Sequence, residues 1–182
     1  KFDTWEATID KIGELLQDEY GRHQEILNSD KISQYEKEYF SKILNKAANQ
    51  VELSSALERL SKMLAVYYGK APIIIIDEYD TPFVEAHTGG FYDEVRGGLA
   101  GLLHNSLKTS TSLKYAMLTE IQRVAKENIF SDLNNLDVYT VIDNDYSEYF
   151  GFSIEETKEL LEYYDLELND EVKEMYDGYK MG

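Results

Sequence analysis

The sequence predicts an α/β fold with a short parallel sheet and a helical amino-terminal part, on three observations. Helically spaced apolar stripes fill residues 1–70. A continuous run of four isoleucines, Ile73–Ile76, ends in acids, as a parallel strand buried on both faces does. Two later apolar runs, 114–119 and 138–142, are separated by segments of crossover length, which implies parallel strands with right-handed connections. A length of 182 residues suits one domain. Within it, 1–70 is a helical segment packed on the core, 71–150 carries the strands, and 151–182 is a C-terminal helical segment. The chain starts at Lys1 without Met and stops at Gly182, and is expected to be a piece of a longer polypeptide, cut at both ends.

Trp5, Ile9, Ile12, Leu15 and Leu16 recur at helical spacing behind Asp3 or Thr4, either of which can cap the helix. A second helix follows Ser33, with Tyr35, Tyr39, Phe40, Ile43 and Leu44 as its stripe. Leu53, Leu57, Leu60, Leu64 and Tyr67 make a third, ended by Gly69. After the isoleucine strand, Pro82 should keep the residue before it out of a helix, and Gly89-Gly90 reads as a loop. Tyr92, Val95, Leu99, Leu102, Leu103 and Leu107 mark the next helix. Its Gly97, Gly98 and Gly101 read either as close packing against the sheet or as a hinge. An acidic helix runs from Ile154 to about Tyr164, and a last helical turn leads to Tyr176-Asp177-Gly178-Tyr179, read as a structural turn.

Composition removes several function classes. Thirty-five acids against 18 bases give a net charge of −17, a field that repels nucleic-acid phosphates, so no direct nucleic-acid binding is expected. The absence of cysteine removes disulfides and thiolate metal sites and suits a reducing, cytoplasmic setting. No apolar run approaches the ~18 residues of a membrane span. His23, His87 and His104 are isolated from one another, which argues against zinc.

The chemistry concentrates at Asp77-Glu78-Tyr79-Asp80, directly after the isoleucines. Carboxylates at the carboxyl end of a parallel strand stand where open α/β sheets bind ligands. Four apolar residues and Asp-Glu are the pattern of a Walker B strand, in which Asp77 holds Mg²⁺ and Glu78 polarises the water that attacks a γ-phosphate. The plain alternative is a core strand followed by a solvated acidic turn. Asp80 is either an orienting residue behind these two or the cap of the next turn. A third reading makes Asp77, Glu78 and Asp80 a nucleotide-free metal hydrolase. No G-x-x-x-x-G-K-[ST] phosphate loop occurs in the chain.

A set of separated motifs extends this reading. Ile75-Ile76-Asp77-Glu78-Tyr79-Asp80-Thr81-Pro82 is followed by Leu118-Thr119 and then by Arg123-Val124-Ala125-Lys126-Glu127-Asn128-Ile129-Phe130-Ser131. Leu133-Asn134-Asn135-Leu136, Ser147-Glu148-Tyr149-Phe150-Gly151-Phe152 and Tyr176-Asp177-Gly178-Tyr179 complete it. In this order the motifs resemble the bacterial AAA-ATPase-like family, whose members often carry a C-terminal domain like the PD-(D/E)XK nucleases. The resemblance runs from about Tyr68 to the end of the chain and is weaker before it. It implies a partial P-loop NTPase-like three-layer fold whose phosphate loop lies upstream of Lys1. The phosphate-loop strand would then border the sensor strand, and its loss would expose a sheet edge suited to self-association.

The resemblance also implies Mg²⁺ and ATP as cofactor and ligand, with Asp77 on the metal and Glu78 as base or water-positioner. Thr119 reads as a γ-phosphate sensor or as a strand-end hydroxyl bonded to backbone. Arg123 reads as a phosphate ligand or as an ion-pair partner of nearby acids. Glu120 and Asp132 stand where the resemblance leads us to expect glycine, and a carboxylate at 120 would repel phosphate unless it faces away or helps bind metal. The function implied is the Walker B and sensor half of an ATPase that switches an attached effector domain, inactive by itself. The rival is a non-catalytic regulatory or interaction module on a degenerate ATPase scaffold.

Overall fold

Thr4 opens helix α1, Trp5–Gly21, by accepting the Ala7 N–H on its side-chain oxygen at 3.2 Å. Ser33 does the same for α2, Gln34–Leu44, through the Glu36 N–H. The structure, a computed structural model, describes residues 3–108, 110–120 and 135–176. Its packing divides the chain into two units, Lys1–Asn135 and Leu136–Gly182.

The third expected helix is two. Helix α3, Gln50–Ser54, carries a reciprocal Asn49/Glu52 capping box, and α4, Ala56–Tyr68, follows after Ser55. Ser54 and Ser55 each turn a hydroxyl back onto a preceding carbonyl, of Val51 and Glu52, and this competition interrupts the helical ladder. Gly69 ends α4 at φ 68°, the left-handed geometry that glycine adopts without a Cβ penalty.

Tyr20 knits these helices together. Its ring is fully buried 4.7 Å from that of Phe40, and its hydroxyl donates to the Ala56 carbonyl at 2.7 Å. Burial pushes its phenol pKa upward, so it stays a neutral donor. Arg59 of α4 lies 3.6 Å over the Tyr39 ring and pairs with Glu36 at 2.9 Å, tying α4 to α2.

Strand β1, Ile73–Ile76, pairs in parallel with β2, Tyr115–Leu118, in the register Ile73↔Tyr115 to Ile76↔Leu118. Two corrections follow. The isoleucine strand is not buried on both faces: Ile74 is buried, but Ile73 and Ile75 are 56% and 71% exposed. Their registered partners Tyr115 and Met117 are exposed too, so one face of the sheet is open and apolar. Run 138–142 is not a strand. Asp143 accepts the Thr140 N–H at 2.6 Å and its hydroxyl at 2.7 Å, closing a turn that outcompetes the β-propensity of Val138, Tyr139 and Val141. Those two bonds hold the Asp143 carboxyl below its usual pKa. The described sheet is therefore two-stranded, mixed α/β in class and mostly helical around it.

Helix α5, Thr81–Gly89, begins at the position where Pro82 was expected to forbid helix. Proline is tolerated in a first turn because the N–H it lacks has no intrahelical partner there. Helix α6, Tyr92–Leu107, buries Val95, Leu99, Leu102, Leu103 and Leu107, as its stripe predicts. Its glycines do not face the sheet. A Cβ on Gly98 would stand 2.2 Å from Cη2 of Trp5, so this glycine admits the α1 indole, while Gly97 faces open space. In the second unit, Ser153 and Glu156 form a capping box at the start of α7, Ile154–Tyr163, and α8 spans Asp170–Tyr176. Among the described residues no helix is long and apolar enough to cross a membrane.

The two adjacent glycines should respond oppositely to alanine. Gly97→Ala should raise stability by roughly 0.5–1 kcal/mol through helix propensity alone, whereas Gly98→Ala should lose that gain and shift the emission of Trp5, the one tryptophan in the chain. Thermal unfolding followed by fluorescence reads both. Tyr20→Phe removes the bond that ties α1 to the first turn of α4 and should cost about 0.5–1.5 kcal/mol in denaturant unfolding.

Candidate functional site

The two strands end side by side, and the register that pairs Ile76 with Leu118 sets Asp77 beside Thr119. The Thr119 N–H donates to the Ile76 carbonyl at 3.0 Å, continuing the ladder one residue past β2. From there the Thr119 hydroxyl donates to the Asp77 carboxylate and accepts the Glu78 N–H at 3.2 Å. The Tyr79 N–H donates to the Thr119 carbonyl at 3.2 Å, and the Tyr79 hydroxyl donates to the Glu120 carboxylate. Thr119 thus serves three consecutive residues of the acidic turn.

Glu78 sits at φ 51°, a left-handed conformation that costs a non-glycine residue on the order of 1 kcal/mol. The bonds made by the N–H groups of Glu78 and Tyr79 on either side of its carbonyl carbon hold it there. The chain then turns directly into α5, with the Thr81 N–H on the Glu78 carbonyl at 3.2 Å and the Phe83 and Val84 N–H groups on the Asp80 carbonyl. Phe83 and Ala86 anchor this helix in the core.

The sequence-predicted residues separate into three groups. Asp77, Glu78 and Thr119 come together at the strand ends, with both acids exposed and Thr119 half-buried. Asp80 does not project beside them: only 3% exposed, it stands at the start of α5, where its side chain makes no cap bond. Arg123, like Asp132, Asn134 and the 177–179 turn, lies outside the described residues. Thr119 bonds to the Asp77 side chain as well as to backbone, an arrangement neither sequence reading of it contained. Tyr79 was missed altogether, because its partner Glu120 is 41 residues away and only the parallel register brings them together.

An exposed carboxylate at a strand end, oriented by a hydroxyl, is a donor set that fits Mg²⁺, which takes one or two carboxylates and otherwise water and phosphate oxygens. A preformed all-protein cage is a different matter. Among the described residues no group of three or more His, Asp or Glu side chains is placed to hold a metal ion, and His23, His87 and His104 stand on separate elements. The turn also brings no cationic side chain: residues 77–80 and 119–120 supply acids, a phenol and a hydroxyl.

Comparison with known proteins gives the geometry a family. An uncharacterized protein in the vnfD 5' region of Azotobacter chroococcum mcd 1 is 29% identical over 136 residues, 73% of this chain and 26% of that protein. The chain thus spans about a quarter of the length of that relative. No solved structure matches the chain. The family described as Predicted AAA-ATPase matches residues 8–130, a stretch that contains both strands and the acidic turn, and the chain belongs to that family.

Proposed function

We propose that this chain supplies the acidic, strand-end half of a Mg²⁺-ATP site in a longer ATPase, and that the site acts as a nucleotide switch for an attached domain. The observation that carries the reading is the Thr119–Asp77 bond, which presents one oriented carboxylate at the carboxyl end of a parallel strand pair. Asp77 is the residue to hold Mg²⁺, through water or directly, and the bound ion would offset phosphate charge. Glu78, exposed in its left-handed turn, is the base or positioner for the attacking water. Thr119 is a positioning residue for both, and Arg123 is the phosphate-facing cation in this reading.

The absence of any cationic side chain among residues 77–80 and 119–120 favours a divided site, because phosphate charge must be matched from elsewhere in the polypeptide. Without a G-x-x-x-x-G-K-[ST] phosphate loop, the chain alone should not hydrolyse ATP. The unpaired outer edges of the two described strands offer it a route to self-association. The regulatory-module reading draws on a different observation, the carboxylate of Glu120 next to Thr119.

Calorimetry with Mg²⁺-ATP tests the proposal on the natural-length protein. Binding is expected, with Asp77→Ala weakening it at least tenfold; no binding by the unsubstituted protein would leave the module reading in its place. Phosphate release tests Thr119. Thr119→Val removes a bond to a charged group, worth about 1.5–3 kcal/mol, and should slow turnover roughly 10–100-fold, while Thr119→Ser should stay within about threefold.

A further inference from the structure

We propose that Tyr79 is a tether that holds the Glu120 carboxylate away from the phosphate position, making an otherwise repulsive acid compatible with a nucleotide; this rests on the Mg²⁺-ATP reading of the site. Glu120 leaves β2 one residue after Thr119, whose hydroxyl touches Asp77. Its carboxylate therefore originates within one residue of the place where metal and phosphate would meet. Left to rotate, a half-buried acid there would oppose a polyphosphate in a medium of reduced dielectric.

The structure shows it captured. The Tyr79 hydroxyl donates to Glu120 Oε2, a charge-assisted bond that fixes direction as well as distance. The donor is itself pinned, because the Tyr79 N–H is bound to the Thr119 carbonyl at 3.2 Å and the ring is half-buried. One residue is thus attached at both its backbone and its side-chain end to consecutive residues of the opposite strand end. Anchoring the turn needs only the backbone bond. The second attachment acts on Glu120.

A double-substitution cycle on the natural-length protein, read by Mg²⁺-ATP calorimetry, separates tethering from anchoring. Tyr79→Phe keeps the ring and backbone bond and should raise Kd about tenfold, the scale of one charge repulsion at roughly 12 Å near a protein surface. Glu120→Gln should gain at least fivefold more affinity in the Tyr79→Phe background than alone, bringing the pair back to within about twofold of the parent. If Tyr79→Phe leaves Kd unaltered, or its loss persists in the pair, or Glu120→Gln gains equally in both backgrounds, the tether is refuted while the nucleotide site stands. Failure of the unsubstituted protein to bind Mg²⁺-ATP overturns both.

Discussion

The register between β1 and β2 is the constraint on which the strand-end geometry depends. The parallel ladder runs from the Lys114 N–H on the Pro72 carbonyl to the Thr119 N–H on the Ile76 carbonyl. Side chains alternate faces with a period of two, so a slip of one residue would send the Thr119 hydroxyl to the other face and leave Asp77 opposite Leu118 or Glu120. Four paired residues are few to fix a register, and only Ile74 contributes a buried isoleucine. The polar bonds beyond the strands, from Thr119 to Asp77, Glu78 and Tyr79, therefore both depend on the register and help to lock it.

Helix packing carries this short sheet. Helix α6 contacts α1, α3, α4 and α5, so it is the beam between the amino-terminal helices and the acidic turn. At one end Gly98 admits Trp5 of α1; at the other, Phe83 and Ala86 of α5 are buried in the same unit, immediately after Asp80. A helix that starts three residues after Glu78 and is anchored by a buried phenylalanine converts core rigidity into positional rigidity of Asp77 and Glu78. The buried Tyr20 and the Arg59 stack lie far along the chain from the acids yet stabilise the bundle that holds α6.

Much of this was legible in the sequence because it is local. The spacing of Tyr39, Phe40 and Ile43, the caps at Thr4 and Ser33, and Gly69 at the end of α4 each depend on neighbours within a few residues. The strand at Ile73–Ile76 and its partner were legible from composition, as was the acidic turn at its end. The errors share a cause. Run 138–142 has strand composition, but the Asp143 carboxylate offered the backbone a nearer partner than a sheet could. Pro82 reads as a break from its effect on Thr81, yet in a first turn its missing donor costs nothing. Asp80 could not be placed from local pattern, because Glu78 turns left-handed and redirects the chain into α5. The Tyr79–Glu120 bond depends on register alone, and no local pattern announces it.

Charge sets the remaining condition. At physiological salt the Debye length is about 8 Å, so most of the 35 acids are screened from a ligand at the strand ends. The net charge of −17 slows the approach of a polyphosphate but does not decide its binding. The acids within that radius decide it. Asp77 is offset if it holds a cation and Glu78 is required for chemistry in the proposed site, whereas Glu120 brings only a cost there. A chain that places such a residue beside Thr119 needs a compensating contact, and the hydroxyl of Tyr79 supplies one.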